Sequence, residues 1–256
     1  MRKELFYKPH LLLARLAEIA EQRARLRRLR GTCAQNLTHY HVDSLELIEI
    51  AAQAGAKVFY DVGANVGSWA LLCRALVPES TIVAFEPLAS HCEKFHAAMS
   101  GFDHVRLFEI ALGERDESRQ LHVTSFSDAS SLLPLSAAGA DLFSLKTIES
   151  VRVPVDSLDH VLSAESLPQP DMIKLDVQGF ELAVLKGASA VLERTEWVLA
   201  EASFRTFYNG QVLFSELAGF LGRSGFEVHA FGHSMRIGRP LDQVDVLFGR
   251  IDRDRR

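Results

Sequence analysis

An apolar run, Val58-Phe59-Tyr60, leads into Asp61-Val62-Gly63-Ala64-Asn65-Val66-Gly67, and Trp69-Ala70-Leu71-Leu72-Cys73 then resumes an apolar pattern. Glycines let a backbone turn tightly and approach a ligand, and a helix N-terminus offers unpaired N–H groups. Strand, glycine turn and helix in that order suit the holding of a nucleotide-like ligand. Glu86 closes a second apolar run, Thr81-Ile82-Val83-Ala84-Phe85, and stands 19 positions after Gly67. An acid about 20 residues past such a turn is where related folds hold a ribose, because a carboxylate accepts hydrogen bonds from both hydroxyls. Lys174 and Asp176 belong to a third run, Met172-Ile173-Lys174-Leu175-Asp176. Glu201 closes a fourth, Trp197-Val198-Leu199-Ala200.

In open α/β sheets, ligands bind beyond the carboxyl ends of the strands. Asp61, Glu86, Asp176 and Glu201 are all expected at such ends. Like charges gathered at close range are costly, so the arrangement points to ligand hydroxyls, a cationic ligand or a metal. A Mg2+ shared by Asp176 and Glu201 would acidify an acceptor hydroxyl, but no ligand spacing in the sequence calls for one. Lys174 shares a strand face with Asp176. It either tunes an acceptor or forms a buried salt bridge.

The elements that must position these residues alternate strand and helix, which predicts a parallel sheet with right-handed crossovers. Val105 to Gly113 reads as a third strand and its turn. Leu121-His122-Val123-Thr124 and Val151-Arg152-Val153-Pro154-Val155 break the alternation and are expected to pair as an insertion. Between them, the serine- and alanine-rich segment from Ser125 to Ser144 reads as a loop or lid. Two late strands, Phe226 to Phe231 and Val244 to Gly249, are too close in sequence for a helical crossover, so they should pair antiparallel. The sequence Asp252-Arg253-Asp254-Arg255-Arg256 reads as a frayed tail. Residues 1–54 are expected to form a helical extension or cap and residues 55–251 the main α/β domain. In the first helix Leu12, Leu16, Ile19 and Leu26 share a face. The other face carries Arg15, Arg23, Arg25, Arg27, Arg28 and Arg30. This helix either packs on the main domain or a second copy, giving a homodimer, or meets an anionic surface.

The chain has 256 residues, 48% of them hydrophobic, with a formal net charge of -5. That length supports a sizeable core, and the charge supplies no basic field for nucleic acid. No apolar run approaches the ~20 residues needed to span a membrane, and the N-terminus lacks a signal-peptide pattern. Cys33, Cys73 and Cys92 have no metal-site spacing. Reduced structural thiols in a cytoplasmic protein are expected.

Several of these stretches form an ordered set. Asp61 to Gly67, Phe85-Glu86-Pro87 and Ile173-Lys174-Leu175-Asp176-Val177-Gln178-Gly179-Phe180-Glu181 are followed by Val184-Leu185-Lys186-Gly187-Ala188. Glu201-Ala202-Ser203-Phe204 with Tyr208, and Asp245-Val246-Leu247-Phe248, complete it. Together they resemble the FkbM-type methyltransferase family. The resemblance implies a class I, Rossmann-like α/β fold: a mostly parallel sheet of about seven strands whose last strand is antiparallel. It implies S-adenosylmethionine as cofactor and methyl transfer to a hydroxyl of a sugar or natural product. By that likeness Asp61, Gly63, Asn65 and Gly67 cradle the methionine part, Glu86 holds the ribose, and Ile110 or Ala111 lies beside the adenine. Many relatives carry Glu where this chain has Gln178, which weighs against Gln178 as a base.

For the chemistry, Asp176 is the first candidate to orient or deprotonate the acceptor next to the cofactor, with Lys174 and Glu201 as further candidates. Acceptor-lining residues are expected in three variable stretches: His39 and Tyr40, Ser130, and Tyr208. The first of these reads equally well as a polar linker. Two rivals remain. An NAD-dependent oxidoreductase needs G-x-G-x-x-G, and Gly63-x-Asn65-x-Gly67 lacks its second glycine. A non-catalytic scaffold has no use for Asp61, Glu86 and Asp176.

Overall fold

Strand β1 (Val58–Val62) buries four of its five residues, as a strand covered on both faces must. The computed structural model, which describes residues 9–235 and 241–251, places β1 inside a seven-stranded sheet. β2 (Thr81–Phe85) and β3 (Val105–Phe108) lie on one side of it. β7 (Met172–Leu175), β8 (Trp197–Ser203), β10 (Gln243–Arg250) and β9 (Phe226–Met235) follow in that order on the other. β1, β2, β3, β7 and β8 run parallel. β10 runs antiparallel to both β8 and β9. The fold is thus the expected mostly parallel sheet with an antiparallel last strand. Chain order reverses between β1 and β7, which opens a crevice above their carboxyl ends.

A second sheet holds β4 (Ala111–Leu112), β6 (Thr147–Asp156) and β5 (Glu117–Thr124), with β6 in the middle. The expected pairing of β5 with β6 is present and antiparallel. The single strand expected from Val105 to Gly113 is instead divided. Phe108 ends β3 with its carbonyl accepting from Glu86 N, whereas Ala111 and Leu112 pair with Val155 and Asp156 of the other sheet. The segment after Ser125 is ordered too. It forms a 3-10 turn (Ser127–Ala129) and helix α5 (Ala137–Phe143), whose N-cap Ser136 accepts from Gly139 N.

Helix α1 (Pro9–Arg28) leads toward α2 (Leu45–Gln53). Leu29, Ala34, Val42, Leu45 and Ile48 are buried in one cluster with Phe59, Ile82 and Phe95 of the main sheet layer. Two of the arginines are salt-bridged: the Arg25 Nε donates to Glu46 at 2.8 Å, and Arg28 pairs with Glu49. Leu26 packs against the core, but Leu16 of the expected apolar face is 52% exposed. The side chains of Leu12 and Arg15, and the tail 252–256, lie outside the described residues. No described helix is long and apolar enough to cross a membrane. Helices α3 (Ser68–Leu76) and α4 (Ala89–Ala98) follow β1 and β2. α6 (Leu158–Ala164) precedes β7, α7 (Glu181–Lys186) and α8 (Ser189–Leu192) follow it, and α9 (Phe214–Arg223) follows β8.

Candidate active site

The turn after β1 depends on its glycines. Gly63 and Gly67 take φ of +77° and +86°, where side chains are strained. A Cβ on Gly63 would stand 2.0 Å from the Asp176 carbonyl oxygen, so the turn can approach the end of β7 only without one. Gly63 N and Ala64 N both donate to the Phe85 carbonyl at 3.0 Å. Glu86, 6% exposed, follows β2 directly and braces the same turn. One of its carboxylate oxygens accepts from Asn65 N and the other from Leu88 N, each at 2.9 Å. Each oxygen keeps acceptor capacity for a ligand hydroxyl. Asn65 Nδ2 donates to Asp128 at 3.0 Å, tying the turn to the loop above it.

Asp61 is the last residue but one of β1. It is inside β1, fully buried, and in register with Lys174 of β7. Lys174 Nζ lies 3.1 Å from Asp61 Oδ1, 2.9 Å from the Gly63 carbonyl and 3.5 Å from Asp176 Oδ2. Burial pushes the Asp61 carboxyl up from its ordinary value, and Lys174 pulls it back. Burial pulls the Lys174 ammonium down, but Asp61 and Asp176 outweigh it and hold the group above its ordinary value. Lys174 is therefore a charged clamp. Asp61 acts on the turn through Lys174 and the Gly63 carbonyl, and has no wall of the cleft.

Gln178, held at φ +53°, organises the other end of the site. Its Nε2 donates to Asp176 Oδ1 at 2.8 Å and to Glu201 Oε2 at 3.1 Å. Its Oε1 accepts from the Tyr208 hydroxyl at 3.1 Å, and its carbonyl from Ser131 Oγ at 2.8 Å. A Glu at 178 would put a third carboxylate between two others, whereas the amide supplies donors to both. Gln243 Nε2 adds a second donor to Glu201 Oε2 at 3.0 Å. Asp245 faces Glu201 directly across the β8–β10 ladder. Burial, then Asp176, Asp245 and Glu181, push the Glu201 carboxyl well above its ordinary range. Burial, then Asp176 and Asp43, push Asp245 up to about 7.

Gly63, Asn65, Glu86, Lys174, Asp176, Gln178, Glu201 and Asp245 line one cleft of about 310 Å³, within the range of small-ligand sites. Of the expected cofactor residues, Gly63, Asn65, Glu86, Ala111 and Asp176 line it. Gly67 and Ile110 do not: Gly67 caps α3 from behind, and Ile110 packs against the main core. Lys174, Glu201 and Ser130 are on the wall, but His39 and Tyr208 are not; His41 is. Tyr208 is 3% exposed and also donates to the Ala129 carbonyl, so it supports Gln178 from behind. Tyr40 lies in the 3-10 turn His39–His41, and its side chain is outside the described residues. Among the described residues no group of three or more His, Cys, Asp or Glu is placed to hold a metal ion. The Gln178 amide bridges Asp176 and Glu201, the two acids expected to share a Mg2+.

Glu181, 3% exposed, accepts from Gly179 N at 2.9 Å below this end. Burial raises its carboxyl from 4.5 to about 7. The folded chain thus holds this proton more tightly than the unfolded chain, and unfolding releases it. Stability from this group is present below pH 4.5 and is lost as pH rises through about 7. Glu181→Gln keeps an acceptor for Gly179 N. In urea unfolding it is expected to shrink the loss of stability between pH 5 and pH 8 by about 2–3 kcal/mol. An unchanged loss would mean the proton is held elsewhere.

A glycine turn under an acid-tipped second strand, in a seven-stranded sheet with this strand order, defines an S-adenosylmethionine-dependent methyltransferase domain. Residues 61–228 match the methyltransferase FkbM domain, and the chain belongs to that family. It is 29% identical over 162 residues to the 2-O-methyltransferase NoeI of Sinorhizobium fredii, covering 60% of this chain and 67% of that one. It is 28% identical over 144 residues to the hexuronic acid methyltransferase AglP of Haloferax volcanii, covering 56% of this chain and 55% of that one. The matches thus span from about half to two thirds of these relatives' lengths. The crystal structure of methyltransferase FkbM from Methylobacillus flagellatus KT superimposes with a TM-score of 0.50 at 13% identity, over 91% of this chain and 59% of that one. This likeness concerns the fold.

The residues present fit this cofactor. Glu86 has two oxygens for the ribose, and Asn65 Oδ1 and Trp69 Nε1, both on cleft-lining residues, are buried without hydrogen-bond partners. Buried polar atoms left in this way are free to meet polar atoms of a ligand. When bound, the cofactor supplies an electrophilic methyl group.

Proposed function

We propose that this protein methylates a hydroxyl of a sugar or sugar-like small molecule. The supporting observation is the polarity of one continuous cleft. Its cofactor end is built by Gly63, Asn65 and Glu86, and its other end by Asp176, Gln178, Glu201 and Asp245. Carboxylates and amides side by side suit an acceptor with several hydroxyls. The names of the two relatives, a 2-O-methyltransferase and a hexuronic acid methyltransferase, support an oxygen on a sugar. Among the described residues the one lysine of the wall is already committed to Asp61, so a neutral sugar suits the acidic end better than a uronic acid. Residues 55–251 form the transferring unit in this reading. Residues 1–54 cover it, lending His41, Asp43 and Ser44 to the wall.

The chain's contribution is mainly alignment. Glu86 fixes the ribose, and Lys174 fixes the Gly63 carbonyl and Asp176 together. Asp176, 40% exposed and held by Gln178, orients the acceptor hydroxyl for in-line approach. Transfer of tritium from methyl-labelled S-adenosylmethionine to methyl glucopyranoside is expected to exceed transfer to methyl glucuronopyranoside. Preference for the glucuronide would refute the neutral acceptor, and label on neither sugar would refute the sugar class.

A further inference from the structure

We propose that Asp245 is the group that takes the proton from the acceptor hydroxyl; this rests on the methyl transfer proposed above. The other acids of the cleft are engaged. Asp176 is held by Lys174 and Gln178, and Glu201 Oε2 takes two amide donors. Glu86 accepts from two backbone N–H groups, Asp128 from Asn65, and Asp43 lies 3.8 Å from Arg25. Among the described residues the Asp245 carboxylate makes no hydrogen bond and no ion pair. A carboxylate that already takes donors has fewer lone pairs free to meet an acceptor hydroxyl.

The fold also places Asp245 on the acceptor side. It pairs with Glu201 near the carboxyl end of β8, and it lines the cleft beyond Asp176. On β9, a Cβ at Gly232 would stand 3.0 Å from Asp245 Cβ and 2.7 Å from Leu47 Cδ1. The glycine thus leaves room for Asp245 to be seated between β8 and α2. The charged groups acting on it are Asp176 and Lys174 from β7 and Asp43 ahead of α2, while Glu201 of β8 faces it across the ladder. Burial and two carboxylates against one lysine favour uptake of a proton near neutral pH, as a general base requires.

In the step itself, a lone pair of the acceptor oxygen forms the new C–O bond to the methyl carbon. The C–S bond breaks and its electron pair stays on sulfur, leaving a neutral thioether. The O–H proton passes to the Asp245 carboxylate and is later lost to water.

The test compares wild type with Asp245→Asn in two arms. Difference potentiometry of the two proteins is expected to show one proton titrating between about pH 6 and 8 that the variant lacks. A midpoint below about pH 5 overturns the inference whatever the acceptor. In the second arm, tritium transfer to methyl glucopyranoside is followed from pH 5.5 to 9, with S-adenosylhomocysteine affinity and melting temperature showing that the variant is folded. The variant is expected to lose about 10²–10⁴-fold in kcat, to lose the rise of kcat across neutral pH, and to bind the product as wild type does. A variant that binds the product normally and keeps the same pH limb overturns the inference. Wild type that titrates the proton but labels no glycoside instead counts against the acceptor class, and the titration then decides the role of Asp245.

Discussion

Lys174→Met is expected to destabilise the fold by about 3–5 kcal/mol, because it leaves a buried charge without its partner. Asp61 is fully buried, and its Oδ2 already lacks a hydrogen-bond partner. Its Oδ1 relies on Lys174 at 3.1 Å. The substitution also strips the Gly63 carbonyl of its donor and frees Asp176 to move. Methionine fills most of the lysine's volume, so the loss reports electrostatics rather than a cavity. Adding Asp61→Val removes the stranded carboxylate and should recover more than half of the loss in urea unfolding. Such recovery is the coupling expected of residues in one network. A single variant that loses under about 1 kcal/mol would show that Asp61 is not held as a charged partner.

Glu86→Ala is expected to weaken S-adenosylhomocysteine binding about 10–100-fold, the equivalent of one or two hydrogen bonds to a charged group. Two losses act together. A ribose bound there as proposed would lose its acceptor, and Asn65 N loses the carboxylate that fixes the turn. Asp176→Ala leaves the Glu86 braces intact, so its effect should fall on turnover, with product affinity changed less than about threefold. Calorimetry on both variants separates the two ends of the cleft. Equal losses of affinity would contradict the division between a cofactor end and an acceptor end.

The stretch from Val58 to Leu76 was legible because three local signals agree: a buried apolar run, a glycine turn and a helical pattern. The C-terminal hairpin was legible from the length of its connection alone. Val105 to Leu112 was not, because an apolar run does not announce that its hydrogen-bond partner changes from β2 to β6. Asp61 and Glu86 look alike in sequence, each acid in or after an apolar strand. Only the register with Lys174, 113 residues away, reveals that Asp61 is buried and paired. Gln178 and Asp245 escaped for a related reason. The first matters through Asp176, Glu201 and Tyr208, the second through its place opposite Glu201, and those relations are long-range. For Gln178 the resemblance offered a signal, an amide where the likeness implies Glu. It told against a base, and the structure shows an amide donor between two acids.

We propose that the turn from Gly63 to Val66, with Glu86, holds S-adenosylmethionine. The most direct measurement is a calorimetric titration of the protein with S-adenosylhomocysteine, run beside one with NAD. The structure predicts one molecule of S-adenosylhomocysteine bound per chain and no heat from NAD, since Asn65 stands where pyrophosphate binding requires a glycine. Binding of NAD, or no binding of S-adenosylhomocysteine at millimolar concentration, would contradict it.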